Sequence, residues 1–133
     1  MIRLIIAGSR EFDDYQLLKA AWIDKFSPGL EVMADTEIIS GGARGADRLG
    51  EELARNYGIK LTRFPADWSS FGKRAGVVRN QQMADYASEN SHVGYLLAFW
   101  DGTSRGTRNM IDLANKRGLD VTVIRYDLLE KES

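Results

Sequence analysis

Residues 37 to 53 read EIISGGARGADRLGEEL, a short apolar run that turns through Gly41, Gly42 and Gly45 into a segment of helical period. Ala43 and Arg44 lie inside that turn, and Asp47 follows it. The start of a helix presents unpaired amide donors and a partial positive charge, so it accepts phosphate or carboxylate groups. Glycines let the backbone approach such a group without a Cβ clash. Arg44 adds a planar donor suited to phosphate oxygens, whereas Asp47, acceptor-only when ionised, suits a ribose hydroxyl or simply the first helical turn. The glycines equally suit tight packing of helix on sheet. Their spacing is neither the G-x-G-x-x-G dinucleotide fingerprint nor the G-x-x-x-x-G-K-[ST] phosphate loop.

Two further turns repeat the logic. One is Gly8-Ser9-Arg10; the other runs from Asp101 and Gly102 through Ser104 to Gly106 and Thr107. A single helix terminus contributes only about 0.3–1 kcal/mol, up to ~2 when partly buried. Micromolar affinity needs roughly 8 kcal/mol, so several turns must converge, helped by Arg10, Arg44, Arg105 and Arg108. A third element, DWSSFGKRAGVVRNQQM, places Arg79 and Met83 on one helix face with Asn80 beside them. Lys73 and Arg74 precede that helix in a loop long enough to act as a flap. Trp68 and Phe71 in that loop can stack on a base or anchor the loop itself.

Elements of alternating type must hold these turns. Apolar runs predict strands over 3–7, 37–40, 60–64, 93–99 and 121–125, separated by segments of helical period. Asp13 or Asp14 can cap the first helix, Pro28-Gly29 stops it, and Gly58 caps the second at its C-terminus. A helix from about 77 to 88 precedes the fourth strand, and one carrying Met110, Ile111 and Ala114 follows it. This pattern predicts a Rossmann-like α/β domain over 1–126, with a five-stranded, mainly parallel sheet, helices on both faces and a polar tail, 127–133, that frays. Of the two doubly wound orders these elements permit, 3-2-1-4-5 brings the glycine-rich ends of strands 1, 2 and 4 to one crevice and so accounts for the glycines better than a flavodoxin-like order.

Composition excludes several classes of function. The 133 residues suffice to bury roughly two thirds of the unfolded surface in one domain. A net charge of -1 argues against bulk attraction to nucleic acid. There are no cysteines, which removes disulfides, thiol catalysis and zinc–thiolate sites and suits a cytoplasmic location. The first apolar run reaches its glycine turn too early for a signal peptide, and the longest, VGYLLAFW, is too short to span a membrane.

Taken in order, GSREFDD, SGGARGAD, FPADWSSFGKRAGVVRNQQM and AFWDGTSRGT resemble the YspA/YpsA-like branch of the SLOG superfamily, over about residues 2–125. That superfamily joins the DprA/Smf proteins to the LOG phosphoribohydrolases. The resemblance implies a domain that binds nucleotides or nucleotide-derived ligands, with no metal and no other cofactor required; a homodimer is an expectation carried by the resemblance alone. LOG enzymes use an R-K-x-x-M helix and a P-G-G-x-G-T-x-x-E turn. Arg79 and Met83 match the first, with Asn80 in place of lysine, and Gly102, Gly106 and Thr107 match the second. Met110 stands where the glutamate would be, and methionine can neither stabilise an oxocarbenium ion nor activate water.

Three functions follow as expectations. The first is a sensing, carrier or sequestering domain for a small nucleotide-derived ligand, such as an ADP-ribose derivative, held by phosphate-binding loops. The second is a nucleotide N-glycosidase in which Asp47, Asp101 or Asp112 replaces the glutamate. The third, implied by the DprA likeness, is single-stranded DNA binding, against which the charge and the lack of a basic–aromatic stripe weigh.

Overall fold

Alternation along the first strand sorts the molecule into layers. In β1 (Ile2–Gly8), Leu4 and Ile6 face one side of the sheet, and Ile5 and Ala7 face the other, as a side-chain period of two requires. β2 (Thr36–Ser40) is buried throughout, and so is the centre of β4 (Val93–Trp100); parallel strands covered on both faces behave this way. The computed structural model describes residues 1–89 and 92–129. Its remaining elements are α1 (Tyr15–Phe26), α2 (Leu30–Ala34), α3 (Ala46–Tyr57), β3 (Lys60–Arg63), α4 (Trp68–Phe71), α5 (Ala75–Ala87), α6 (Arg105–Lys116), β5 (Asp120–Arg125) and α7 (Tyr126–Leu129).

The sheet is parallel throughout, in the order β3-β2-β1-β4-β5, as the distribution of glycines predicts. Ile5 of β1 lies between Ile39 of β2 and Leu96 of β4. On one face, Leu18 and Trp22 of α1 and Leu53 of α3 pack against Leu4, Ile6, Ile38 and Phe99. On the other, Met83, Ala84 and Ala87 of α5 join Met110 and Ala114 of α6 over Ile5, Ile39 and Leu96. No helix among the described residues is long and apolar enough to cross a membrane.

The end of the sheet away from the glycine turns is held by charge. Glu37, 1% exposed, accepts hydrogen bonds from the hydroxyls of Thr62 (2.5 Å) and Tyr86 (2.6 Å). Burial pushes its carboxyl up, but those donors, with Lys60 and Arg3, together outweigh burial and hold it below the ordinary range. The Arg3 guanidinium carbon lies over the Tyr86 ring, 3.6 Å from its centroid. This network ties β1, β2, β3 and α5 together.

Three short helices were not legible in the sequence pattern. After Ser27 turns through the left-handed region (φ 44), the chain resumes as α2 instead of staying irregular. Leu30 there is 84% exposed, so no buried periodicity marks the helix. The expected flap contains α4, because the Asp67 side chain accepts from the Ser70 amide (3.1 Å) and the Ser69 hydroxyl (2.9 Å). A 3-10 turn over Gly72–Arg74 then leads into α5, two residues earlier than expected. Tyr126 packs on Phe12 at 4.8 Å and begins α7, so 127–129 of the expected tail are helical; its remainder, 130–133, lies outside the described residues.

The β2–α3 turn separates two demands on glycine. Gly42 and Gly45 both have positive φ (74° and 89°), but a Cβ at Gly42 would meet nothing, whereas one at Gly45 would lie 2.3 Å from the Ser9 carbonyl oxygen. Urea unfolding should therefore show Gly42→Ala costing about 1 kcal/mol and Gly45→Ala about 1–3 kcal/mol more. Equal losses would mean that the first turn does not rest on Gly45.

Candidate functional site

Hydrogen bonds bring the three glycine turns together at the C-terminal ends of β1, β2 and β4. The Ser9 amide donates to the Phe99 carbonyl (2.9 Å), and the Asp101 amide donates to the Ser9 hydroxyl (3.1 Å). Ser9 is 1% exposed, so it staples the β1–α1 turn to the β4–α6 turn. Between these turns and α5 and α6 lies a cavity of about 530 Å³, a volume within the usual range for small-molecule sites. It occupies the point where the strand order reverses, between β1 and β4.

Arg79 of α5 reaches across to the second turn. Its Nη1 donates to the Gly41 carbonyl (2.6 Å), and its Nε donates to the Asn80 side-chain oxygen (3.0 Å). Burial lowers the guanidinium's pKa, Asp47 opposes that, and Arg10 adds to it. Asp47, 5% exposed, accepts the Ala43 amide at 3.2 Å. Its carboxyl is pushed up to about 6, by burial first and by Glu51 as well, while the Ala43 and Gly41 amides and Arg79 pull the other way. Behind it, Glu51 accepts from the Ser40 hydroxyl and from Arg63, each at 2.7 Å.

Of the residues singled out from the sequence, Gly8, Ser9, Arg10, Ala43, Asp47, Lys73, Arg79, Asn80, Asp101, Ser104, Gly106 and Thr107 line the cavity. Gly41, Gly42 and Arg44 instead line an adjoining groove, and Gly45 and Gly102 line neither. Gly102 (φ 84) packs against the Arg125 guanidinium, so it serves the fold as Gly45 does. Arg44 pairs with Glu11 at 2.8 Å. Asn80 is buried, and its amide is held by the Gly106 carbonyl (3.3 Å) and the Asn109 side chain (2.9 Å), which fixes α5 against α6. Thr107 is buried too, where the Ser104 hydroxyl caps α6.

The candidate catalytic carboxylates divide. One Asp101 oxygen accepts the amides of Thr103 (2.9 Å) and Ser104 (2.8 Å). Burial raises its pKa, but these bonds, with those from the Thr103 and Ser9 side chains, outweigh burial and hold it below the ordinary range. Asp112 is exposed and outside the cavity. Met110, 1% exposed, forms part of the cavity wall with Met83. Sequence reasoning missed Glu11, Gly76, Val77 and Asn109, which also line it. Asn109 was within reach, since it lies one helical turn beyond Gly106 on the same face.

The family model described as YspA, cpYpsA-related SLOG family matches residues 2–71. The chain belongs to this family. That match takes in β1 to α4, with the first two turns; α5 and α6 lie beyond it. This SLOG chain is also 37% identical over 129 residues to the gene 61 protein of Mycobacterium phage D29, covering 91% of the chain and 94% of that protein. No solved structure matches significantly. Membership points to a nucleotide-related function.

Asp47 gives the site a signature in stability. Its folded pKa, about 6, lies above the ordinary 3.8, so as pH falls the folded state takes up the proton before the unfolded state does. Stability from this group therefore rises as pH drops from about 6 toward 4, and the ionised form above 6 costs on the order of 3 kcal/mol. Asp47→Asn should gain on the wild type as pH rises through that window, then level off, in denaturation followed from pH 4 to 8. A flat difference between the two curves would mean that Asp47 ionises normally.

Proposed function

We propose that this SLOG protein binds a small nucleotide or nucleotide-derived ligand in the cavity, as a sensing, carrier or sequestering domain. The observation that carries this reading is the convergence on one cavity of Arg10, Lys73, Arg79 and Arg105 with the exposed ring of Trp68. Three of these cations are exposed and Arg79 is half-buried, so a phosphate would meet mobile charges at the rim and one fixed donor within. Trp68 offers an apolar platform of the kind on which bases stack. Gly106, in the first turn of α6, would carry a Cβ into open space, so its absence leaves room beside the helix amides.

In a thermal-shift panel of AMP, ADP, NAD and ADP-ribose, at least one nucleotide should stabilise the fold, and free bases should not. Ligand at one hundred times Kd adds about 2.7 kcal/mol, enough for a clear rise in Tm. Arg79→Ala should weaken nucleotide binding by roughly tenfold to a hundredfold. A flat response across the panel at millimolar concentration counts against the reading. Normal binding by an Arg79→Ala protein that melts much lower makes Arg79 a structural residue, holding the Gly41 turn.

One observation favours a second reading, hydrolysis of the glycosidic bond: Asp47 lines the cavity with a pKa of about 6, near the range of a general acid or base. Against it, Asp101 is tied to backbone amides, and the residue in the LOG-like glutamate position is the buried Met110. Base release from AMP, CMP and their deoxy forms, followed by HPLC, should therefore stay near background. Robust release that disappears in Asp47→Asn would establish the enzyme instead.

A further inference from the structure

The adjoining groove, about 430 Å³, differs from the cavity in its charge. Arg10, Arg44, Arg48 and Arg79 line it and no acidic residue does, whereas the cavity has Glu11, Asp47 and Asp101. Arg44 is held by Glu11, but no described residue pairs with Arg10 or Arg48. The Nη2 of Arg79 likewise has no acceptor among the described residues. Arg48 lies in the first turn of α3, where the helix dipole disfavours a cation. Glu11 offsets Arg44 and Asp47 lies near Arg79, so Arg10 and Arg48 are the cations whose repulsion an anion in the concavity would relieve. Arg10, Arg79 and Trp68 belong to both compartments, so the two are continuous, with an aromatic ring at their junction.

Building on the nucleotide-binding reading, we propose that the groove takes a second phosphate, so that the ligand carries phosphates on both sides of a nucleoside: a nucleoside 3′,5′-bisphosphate or a terminally phosphorylated dinucleotide. One phosphate lies in the cavity beneath Arg79, the base stacks on Trp68, and the second phosphate lies among Arg10, Arg44 and Arg48. A contiguous diphosphate carries both phosphates on one side of its base, so with the base on Trp68, which lines both compartments, it occupies one of them and not both.

Calorimetric titration at fixed ionic strength tests this, with AMP, ADP, adenosine 3′,5′-bisphosphate and the dinucleotide pApA as probes. The wild type should bind the bisphosphate or pApA at least about tenfold more tightly than AMP or ADP, as an added charge-assisted contact requires. Arg48→Gln should remove most of that preference, lowering bisphosphate affinity far more than AMP affinity. Arg55→Gln, an exposed change of the same charge at the far end of α3, should retain it. The proposal falls if AMP or ADP binds as tightly as the doubly phosphorylated probes, or if Arg48→Gln and Arg55→Gln act alike. Much tighter binding of a longer single-stranded oligonucleotide than of pApA would replace it with a nucleic-acid site. If AMP binds without any such preference, the nucleotide-binding reading stands and this inference alone is lost; if no nucleotide binds, both are overturned.

Discussion

A single hydrogen bond holds the site in register. Arg79 belongs to α5, on one face of the sheet, and Gly41 follows β2 into α3, on the other; the 2.6 Å bond from the guanidinium to the Gly41 carbonyl joins them over the strand ends. The second turn is held by that anchor together with the Gly42 amide bond to the Ser40 hydroxyl (3.0 Å) and the Arg44–Glu11 pair. With Gly41 fixed, the Ala43 amide reaches Asp47, and the open backbone of Gly42 faces the groove. A charge-assisted bond of this length is stronger than a neutral one, and partial burial raises its worth further.

Burial sets the electrostatic tension in the site. Asp47 lies near Arg79, yet burial dominates and its carboxyl titrates about two pH units above an ordinary aspartate. Glu51, one helical turn further on, already accepts from Ser40 and Arg63, so its negative charge is a neighbour that Asp47 must tolerate. At the other end of the sheet the balance reverses: Glu37 is as deeply buried, but two hydroxyl donors and two cations keep it ionised. The fold thus favours the ionised carboxylate at one end of its sheet and disfavours it at the other. Perturbed groups of the second kind concentrate where proteins bind or react.

Glycine acts in two ways around the cavity. Gly45 and Gly102 admit other parts of the chain, a carbonyl in one case and the Arg125 guanidinium in the other. Gly42 and Gly106 admit open space. The first pair lets the turns converge; the second leaves open space beside them. Both kinds look alike in the sequence, because local spacing does not show what a missing side chain makes room for.

The sequence by itself determined the architecture. Apolar runs and helical periods place five strands and their longer connecting helices, and glycines after strands 1, 2 and 4 favour the order β3-β2-β1-β4-β5 that the sheet has. These signals are local, and a parallel sheet at its switch point has few ways to bring such turns together. Four sequence motifs likewise sufficed to place the chain in its SLOG family, which the family match then showed. What the tertiary structure alone decided is which side chains face the cavity and in what charge state. Asn80 and Ser9 read as ligand contacts; both line the cavity and are also held by bonds to α6 and to the β4–α6 turn. Arg48, in α3, shares a groove with Arg10 and Arg79, which come from distant segments of the chain. Such properties arise from residues far apart in the chain, and burial and charge have no local signature that the sequence could carry.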